Sequence, residues 1–220
     1  GAIDSLQNSR GIVSFAPGTY RHTGFTSRAG VHLRGAGPDA TLLSYVTMTG
    51  NAITFPANPD RARITDMSLT CVNSPGTSGA MIYAPTSTVR EIIIDNVYIT
   101  RSLRGIQIFD ALNVSINHVR ISGQGSGVAN GAGIEIGNIT LPGNGITVSD
   151  PYINGFARGV VTYGFNATYL RPILEQNAIG MISYGRTTVI HPYVNANTDR
   201  DFDINTNGML LLGYGSQNWS

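Results

Sequence analysis

The sequence has no lysine, one cysteine, one tryptophan and few charged residues of any kind. All 14 basic residues are arginines, and with 13 acidic residues they leave a net charge of +1. Binding to a nucleic-acid backbone needs a strongly basic face, so no nucleic-acid partner is predicted. Cys71 has no second cysteine with which to form an internal disulfide.

Long hydrophobic runs and a helical hydrophobic period are also missing. No stretch of 18 apolar residues occurs, so no membrane insertion is predicted, and no targeting motif is recognisable. The four histidines do not fall at the spacing of zinc ligands, so neither a metal nor a cofactor is predicted. A hydrophobic content of 41% nevertheless indicates a folded chain.

The strongest positive feature is a repeat of just over 20 residues. Its clearest copy, residues 146–166, reads ITVSDPYINGFARGVVTYGFN, and two further copies follow it directly. Each copy has an alternating run, a proline, a polar turn and a second alternating run. The prolines are Pro151, Pro172 and Pro192, which lie 21 and 20 residues apart.

The same frame extends towards the N-terminus, where apolar residues replace the proline. They are Met67, Val97 and Val119, and the longer steps between them contain the insertions 72–79 with 84–89 and 122–131 with 138–145. Glycine, serine, proline and asparagine make these insertions loops. Loops on a rigid scaffold often carry binding groups. The alternative is that these loops only ornament the coil.

A period of this length, built from runs of period two, is typical of a solenoid of strands. One copy cannot bury its apolar face alone, whereas stacked copies about 4.8 Å apart share a continuous core. The sequence therefore predicts a right-handed single-stranded parallel β-helix that forms one domain over residues 1–220. Because proline cannot donate to a ladder, its column is expected at a corner between two sheets.

Three segments near the start carry a family resemblance: GIVSFAPGTY (11–20), GVHLRGAGPDATLL (30–43) and GNAITF (50–55). They resemble the opening coils of the pectate-lyase-like superfamily of β-helices, which includes pectin-degrading enzymes and bacteriophage tailspike depolymerases. The resemblance is close over residues 2–55, and the coil pattern continues to about residue 212. It implies a pectin-lyase-like, all-β fold, and we expect the chain to be part of a longer one.

Alternation predicts which side chains point outward from the second run of each coil. The predicted inward column is Ile106, Ile134, Val160, Met181 and Phe202. The predicted outward column is Gln107, Glu135, Val161, Ile182 and Asp203, and two places further lie Phe109, Gly137, Tyr163, Tyr184 and Asn205. Exposed Val161 and Ile182 beside Tyr163 and Tyr184 would form an apolar patch, which predicts a homotrimer.

A second outward column follows the corner directly and suits the binding of sugars. Its members Tyr98, Arg120, Tyr152 and Tyr193 offer aromatic rings and a cation, and Arg120 is placed for cation–π contact with the tyrosines beside it. These four are the predicted substrate-binding residues. Contact with a neighbouring subunit is the alternative use of the same column.

Hydrolysis of a glycosidic bond requires two carboxyl groups about 5 to 9.5 Å apart. Glu135 is the first candidate because it lies on a strand between two insertions, and Asp110 is its candidate partner at about 11 Å. Asp201 and Asp203, about 6.6 Å apart along one strand, form the other candidate pair. Ordinary solvated carboxylates are the alternative, and a calcium-dependent lyase cluster around Asp199 is only weakly approximated.

Together, these features predict a phage tailspike or tail-fibre domain on the virion tail. It would bind a bacterial surface polysaccharide and could hydrolyse it. Two alternatives stay open: a secreted, monomeric polysaccharide lyase or hydrolase, and a non-catalytic adhesive or structural fibre segment.

Overall fold

The computed structural model describes residues 10–46, 49–56, 61–72, 79–85, 89–205, 208–213 and 215–216. Over these residues the chain consists of strands and turns without a helix, and the strand ladders are parallel. No described segment is therefore a long apolar helix of the kind that crosses a membrane. The predicted single-stranded parallel β-helix is confirmed.

The strands form three sheets that run the length of the helix. Two strands pass through both the first and the second sheet: β7 (Arg63–Cys71) and β9 (Val89–Thr100). The first sheet also contains β1 (Gly11–Ser14), β4 (Val31–Arg34), β11 (Ala111–Asn117), β14 (Asn144–Ser149), β17 (Phe165–Leu170), β20 (Thr187–Ile190) and β23 (Met209–Leu212). The second sheet also contains β2 (Gly18–His22), β5 (Thr41–Tyr45), β12 (Arg120–Ser122), β15 (Tyr152–Asn154), β18 (Ile173–Glu175), β21 (Tyr193–Asn195) and β24 (Gly215–Ser216). The third sheet contains β3 (Phe25–Thr26), β6 (Ile53–Thr54), β8 (Ile82–Ala84), β10 (Arg104–Ile108), β13 (Ala132–Ile136), β16 (Arg158–Thr162), β19 (Ile179–Ser183) and β22 (Arg200–Ile204).

A left-handed backbone residue turns each coil from the first sheet into the second. Its φ lies between 45° and 57° in six coils, and asparagine, aspartate and histidine tolerate this conformation better than most residues. We call these six the corner residues: Asp66, Asn96, His118, Asp150, Arg171 and His191.

The residues that follow the corner residues form the predicted column. Strand ladders place Met67 beside Val97. The ladders of the next four coils align the residues that directly follow the other members, so the column continues through Val119, Pro151, Pro172 and Pro192. All six members are buried. Proline has no N–H to donate, and each proline lies at the bend between the two sheets. The carbonyl oxygens of Pro151 and Pro172 accept hydrogen bonds of 2.8 Å from the N–H groups of Ile173 and Tyr193. The stacking hypothesis and the corner position of proline are confirmed.

Asparagines line the inside of the corner between the second and third sheets. The Asn177 side chain is fully buried; its Oδ1 accepts from the Phe156 N–H at 3.1 Å, and its Nδ2 donates to the Ile153 carbonyl at 3.2 Å. One coil later, Asn197 accepts from the Asn177 N–H at 3.0 Å and donates to the Leu174 carbonyl at 3.1 Å. These amides satisfy backbone groups where the ladder is interrupted.

The predicted inward and outward registers on the third sheet are confirmed, but the predicted apolar patch is wrong. Ile106, Ile134, Val160 and Met181 stack in the core, and Val161 lies beside Glu135 and Ile182 in the next column. However, Val161 is 0% and Ile182 5% exposed.

The physical reason for this burial is the pair of tyrosines two residues further along the same strands. The rings of Tyr163 and Tyr184 stack with their centroids 4.4 Å apart and their planes at 6°. Tyr163 and Tyr184 directly follow β16 and β19, and side chains two positions apart in an extended chain face the same side. The aliphatic side chains are therefore covered within one chain.

The insertions differ in how much of them is described. Residues 73–78 and 86–88 lie outside the described residues. Residues 123–131 connect β12 to β13, and residues 137–143 connect β13 to β14, so both loops flank the strand that carries Glu135.

Candidate functional site

The column that follows the corner on the outer side of the second sheet provides the first candidate site. The ladders place Tyr98, Arg120, Tyr152, Ile173 and Tyr193 side by side on successive coils, and we call this set the tyrosine column. Neighbouring members are separated by about one strand spacing, 4.8 Å. Four predicted substrate-binding residues are thus brought together.

A groove of about 690 Å³ lies over most of this column. Tyr98, Arg120, Tyr152 and Ile173 line it, with corner residues on one side and the hydroxyls of Thr100 and Ser122 also in its lining. Aromatic faces, one cation and short polar side chains are the groups that bind sugar rings and their hydroxyls.

Arg120 is the cation at the centre of this groove. Its Cζ lies 5.1 Å from the centroid of the Tyr98 ring, so the predicted cation–π contact with this neighbour is confirmed. Its charge also acts on the hydroxyl of Tyr152. Among the described residues, Arg120 forms no ion pair and donates no hydrogen bond.

Tyr152 is tied to an acidic residue of the next coil. Its hydroxyl donates to Oε2 of Glu175 at 2.9 Å. Burial, and then the hydrogen bond and the negative charge of Glu175, raise the pKa of Tyr152 above its ordinary value. The hydroxyl therefore stays protonated at neutral pH and keeps its bond to the carboxylate.

The corner residues add a line of charges along one edge of the groove. Nδ1 of His118 lies 3.1 Å from Oδ1 of Asp95, and Nε2 lies 3.8 Å from Oδ2 of Asp150. Arg171 holds Asp150 through two bonds of 2.6 and 2.7 Å. The bond from Arg171 lowers the pKa of Asp150, so this carboxylate is ionised at neutral pH.

Sequence reasoning missed this charged edge. A pattern in the sequence does indicate this edge. In all six coils the residue directly before the proline or apolar residue of the predicted column is polar or charged. A position that turns the chain accepts few residue types, and its side chain points away from the core.

Glu135 lies on the other candidate face, the outer side of the third sheet. Its carboxylate is 14% exposed, accepts a 2.7 Å hydrogen bond from Nε2 of Gln107, and lies 3.5 Å from Nε of Arg104. Two aromatic pairs flank it: Tyr83 with Phe109, whose centroids are 6.1 Å apart, and the stacked Tyr163 with Tyr184.

The other predicted acids are not drawn into one cluster. Asp110 is a left-handed residue after β10 whose N–H donates to the Leu141 carbonyl, and it is not a hydrogen-bond or ion-pair partner of Glu135. Asp201 accepts a 2.9 Å bond from Asn197, whereas Asp203 lies 3.5 Å from Arg200. No group of three histidine, cysteine or acidic side chains among the described residues has metal-binding geometry.

No protein-family model and no curated protein match this sequence. Solved structures do match it. The tailspike protein of Acinetobacter phage vB_ApiP_P1 is similar with a TM-score of 0.72 and 15% identity, over 94% of this chain and 41% of that one. The enzymatically active domain of tailspike protein 2 from bacteriophage CBA120 gives a TM-score of 0.54 and 9% identity, over 95% of this chain and 43% of that one.

A third similar structure is the catalytic domain of a GH87 α-1,3-glucanase in complex with tetrasaccharides. Its TM-score is 0.50 and its identity 10%, over 98% of this chain and 55% of that one. The chain thus spans about half or less of the length of these structures. At such identities the likeness establishes a shared fold, the parallel β-helix.

Proposed function

We propose that the chain is a tailspike-type domain that binds a bacterial surface polysaccharide in the groove over the tyrosine column. The observation that carries this proposal is a column of tyrosine rings along the helix axis that includes one cation, Arg120, without an acidic partner among the described residues. A linear polymer can lie along such a column and contact the side chains of several coils in succession. Similarity in fold to two tailspike proteins supports the same assignment.

Binding to an array of purified bacterial capsular polysaccharides tests this function. Tyr98→Ala removes one ring of the column, and affinity for the bound polymer should fall by about 3- to 10-fold. Phe165→Ala is the matched control, because Phe165 is also a partly exposed aromatic residue but lies at the start of β17 in the first sheet. Equal loss in both variants, or no binding to any polymer, would contradict the proposal.

Hydrolysis is a second candidate function, and the position of Glu135 favours it. A mostly buried carboxylate between two aromatic pairs resembles a catalytic group more than a solvated surface acid does. In this proposal Glu135 acts with Asp110, or with an acid from a neighbouring chain. Asp201 and Asp203 are the alternative pair, although they have different partners.

A reducing-end assay on the bound polysaccharide separates these possibilities. Loss of a general acid or base costs a factor of about 10² to 10⁴ in rate, so Glu135→Gln should bind normally and lose nearly all cleavage. Normal cleavage by this variant would exclude Glu135 and favour Asp201 and Asp203 as the catalytic pair. Binding without cleavage in the parent protein would favour the adhesive fibre reading.

The trimer remains a proposal, with its contact surface moved to the first sheet. Leu210 is 54% and Leu212 44% exposed there, and Leu212 continues the column of Leu170 and Ile190. We propose that this apolar column packs against other copies in a trimer on the virion tail. The molar mass measured in solution by light scattering should be three times that of the chain, whereas a monomeric mass would favour a secreted enzyme.

A further inference from the structure

The guanidinium of Arg120 has neither a hydrogen-bond nor an ion-pair partner among the described residues. An arginine presents five N–H donors in a planar fork that matches a carboxylate. Arg120 is exposed, and its guanidinium lies over the Tyr98 ring. It has no acceptor or acidic partner among the described residues. By contrast, Arg171, two coils further along the helix, already holds Asp150 in a two-bond pair.

Three carboxylates near the groove each have a side-chain partner. Asp150 is held by Arg171, Asp95 lies beside Nδ1 of His118, and Glu175 accepts from the hydroxyl of Tyr152. A ligand that meets this surface therefore finds its acids already satisfied and one cation that still lacks an acceptor. An anionic group on the ligand would complete the pairing at Arg120 with a charge-assisted bidentate contact.

We infer that the groove is specific for an acidic polysaccharide, and that Arg120 binds the carboxylate of a uronic or other acidic sugar. Tyr98 and Tyr152 lie directly before and after Arg120 in the column, so the rings that stack on the polymer flank the group that binds its charge. This inference rests on the proposed function, to which it adds the class of substrate and the residue that selects it.

The test uses bacterial capsular polysaccharides, each immobilised in its native form and after chemical reduction of its carboxyl groups. Reduction turns a uronate into the corresponding neutral sugar while the linkages of the polymer are kept. Three proteins are compared with the parent: Arg120→Gln removes the charge, Arg120→Lys keeps the charge without the fork, and Arg186→Gln is the control on the first sheet. Arg186 is exposed, directly precedes β20 of the first sheet, and is not among the residues that line the groove.

The parent should bind the native acidic polymer about 10- to 100-fold more tightly than its reduced form. Arg120→Gln should lose about the same factor on the native polymer, and it should bind the reduced form as the parent does. Arg120→Lys should retain part of the preference, and added salt should weaken only the binding that depends on Arg120. Arg186→Gln should behave as the parent.

Three results would overturn the inference while leaving the proposed function intact. In the first, the parent binds native and reduced polymers equally. In the second, Arg120→Gln loses the same factor on both forms, which would make Arg120 a general contact. In the third, the parent still prefers the acidic polymer after its carboxyl groups are reduced and loses this preference when phosphate groups are removed, which would contradict the carboxylate assignment. Failure to bind any polymer would instead reject the proposed function itself.

Discussion

Replacing Asn177 by leucine tests whether the interior amides hold the coils together. Leucine has a similar size, but it leaves the Phe156 N–H and the Ile153 carbonyl without their partners inside a fully buried corner. Each unsatisfied buried group costs about 1 to 3 kcal/mol, so the free energy of unfolding should fall by about 2 to 6 kcal/mol. In a domain of this size that loss lowers the Tm by roughly 2 to 4 °C per kcal/mol.

Urea denaturation and calorimetry measure this change directly. Asn195→Leu is the matched control, because Asn195 lies on the outer side of β21 and its side chain makes no hydrogen bond among the described residues. Its stability should stay within about 0.5 kcal/mol of the parent. Asn177→Asp places a carboxylate oxygen against the Ile153 carbonyl in the same buried corner, so it should be destabilised at pH 7 at least as much as the leucine variant. A leucine variant as stable as the control would refute the argument.

Three further predictions concern one ion pair and two apolar side chains. The pKa of Asp150 is lowered in the folded protein, so its pair with Arg171 stabilises the fold above the ordinary aspartate pKa, and this stabilisation is lost as the pH falls through the lowered pKa. A double-mutant cycle of Asp150→Asn and Arg171→Gln should show a small coupling at pH 7 that vanishes in strong acid; equal coupling at both pH values would contradict it. Ile182→Asp should destabilise the single chain by several kcal/mol, because the new carboxylate is buried without a partner. Leu212→Asp should leave the melting of the single chain unchanged and reduce the molar mass of the assembly, and an unchanged mass would reject the first sheet as the contact surface.

The path of the chain was predictable because it depends on local sequence patterns. Period-two alternation and the spacing of Pro151, Pro172 and Pro192 define the coil, and stacking follows from the need to bury each apolar face. The same register placed Arg120 between Tyr98 and Tyr152, so the core of the groove was predictable too.

Contacts between coils were harder to predict than the coils themselves. The bond from Arg171 to Asp150 joins residues 21 positions apart, and the amides of Asn177 and Asn197 meet only after the coils stack. Alternation gave the correct direction for Val161 and Ile182 but not their burial, since the stacked rings of Tyr163 and Tyr184 belong to residues further along each strand. Direction in a strand and exposure to solvent are separate properties.

The most direct test of the proposed function is a crystal structure of the chain with an oligosaccharide from a polymer that it binds. The account predicts sugar rings over Tyr98 and Tyr152, with an acidic group of the sugar in contact with Arg120. Sugar bound only over Glu135 and the Tyr163–Tyr184 pair, with the groove of the second sheet empty, would contradict it.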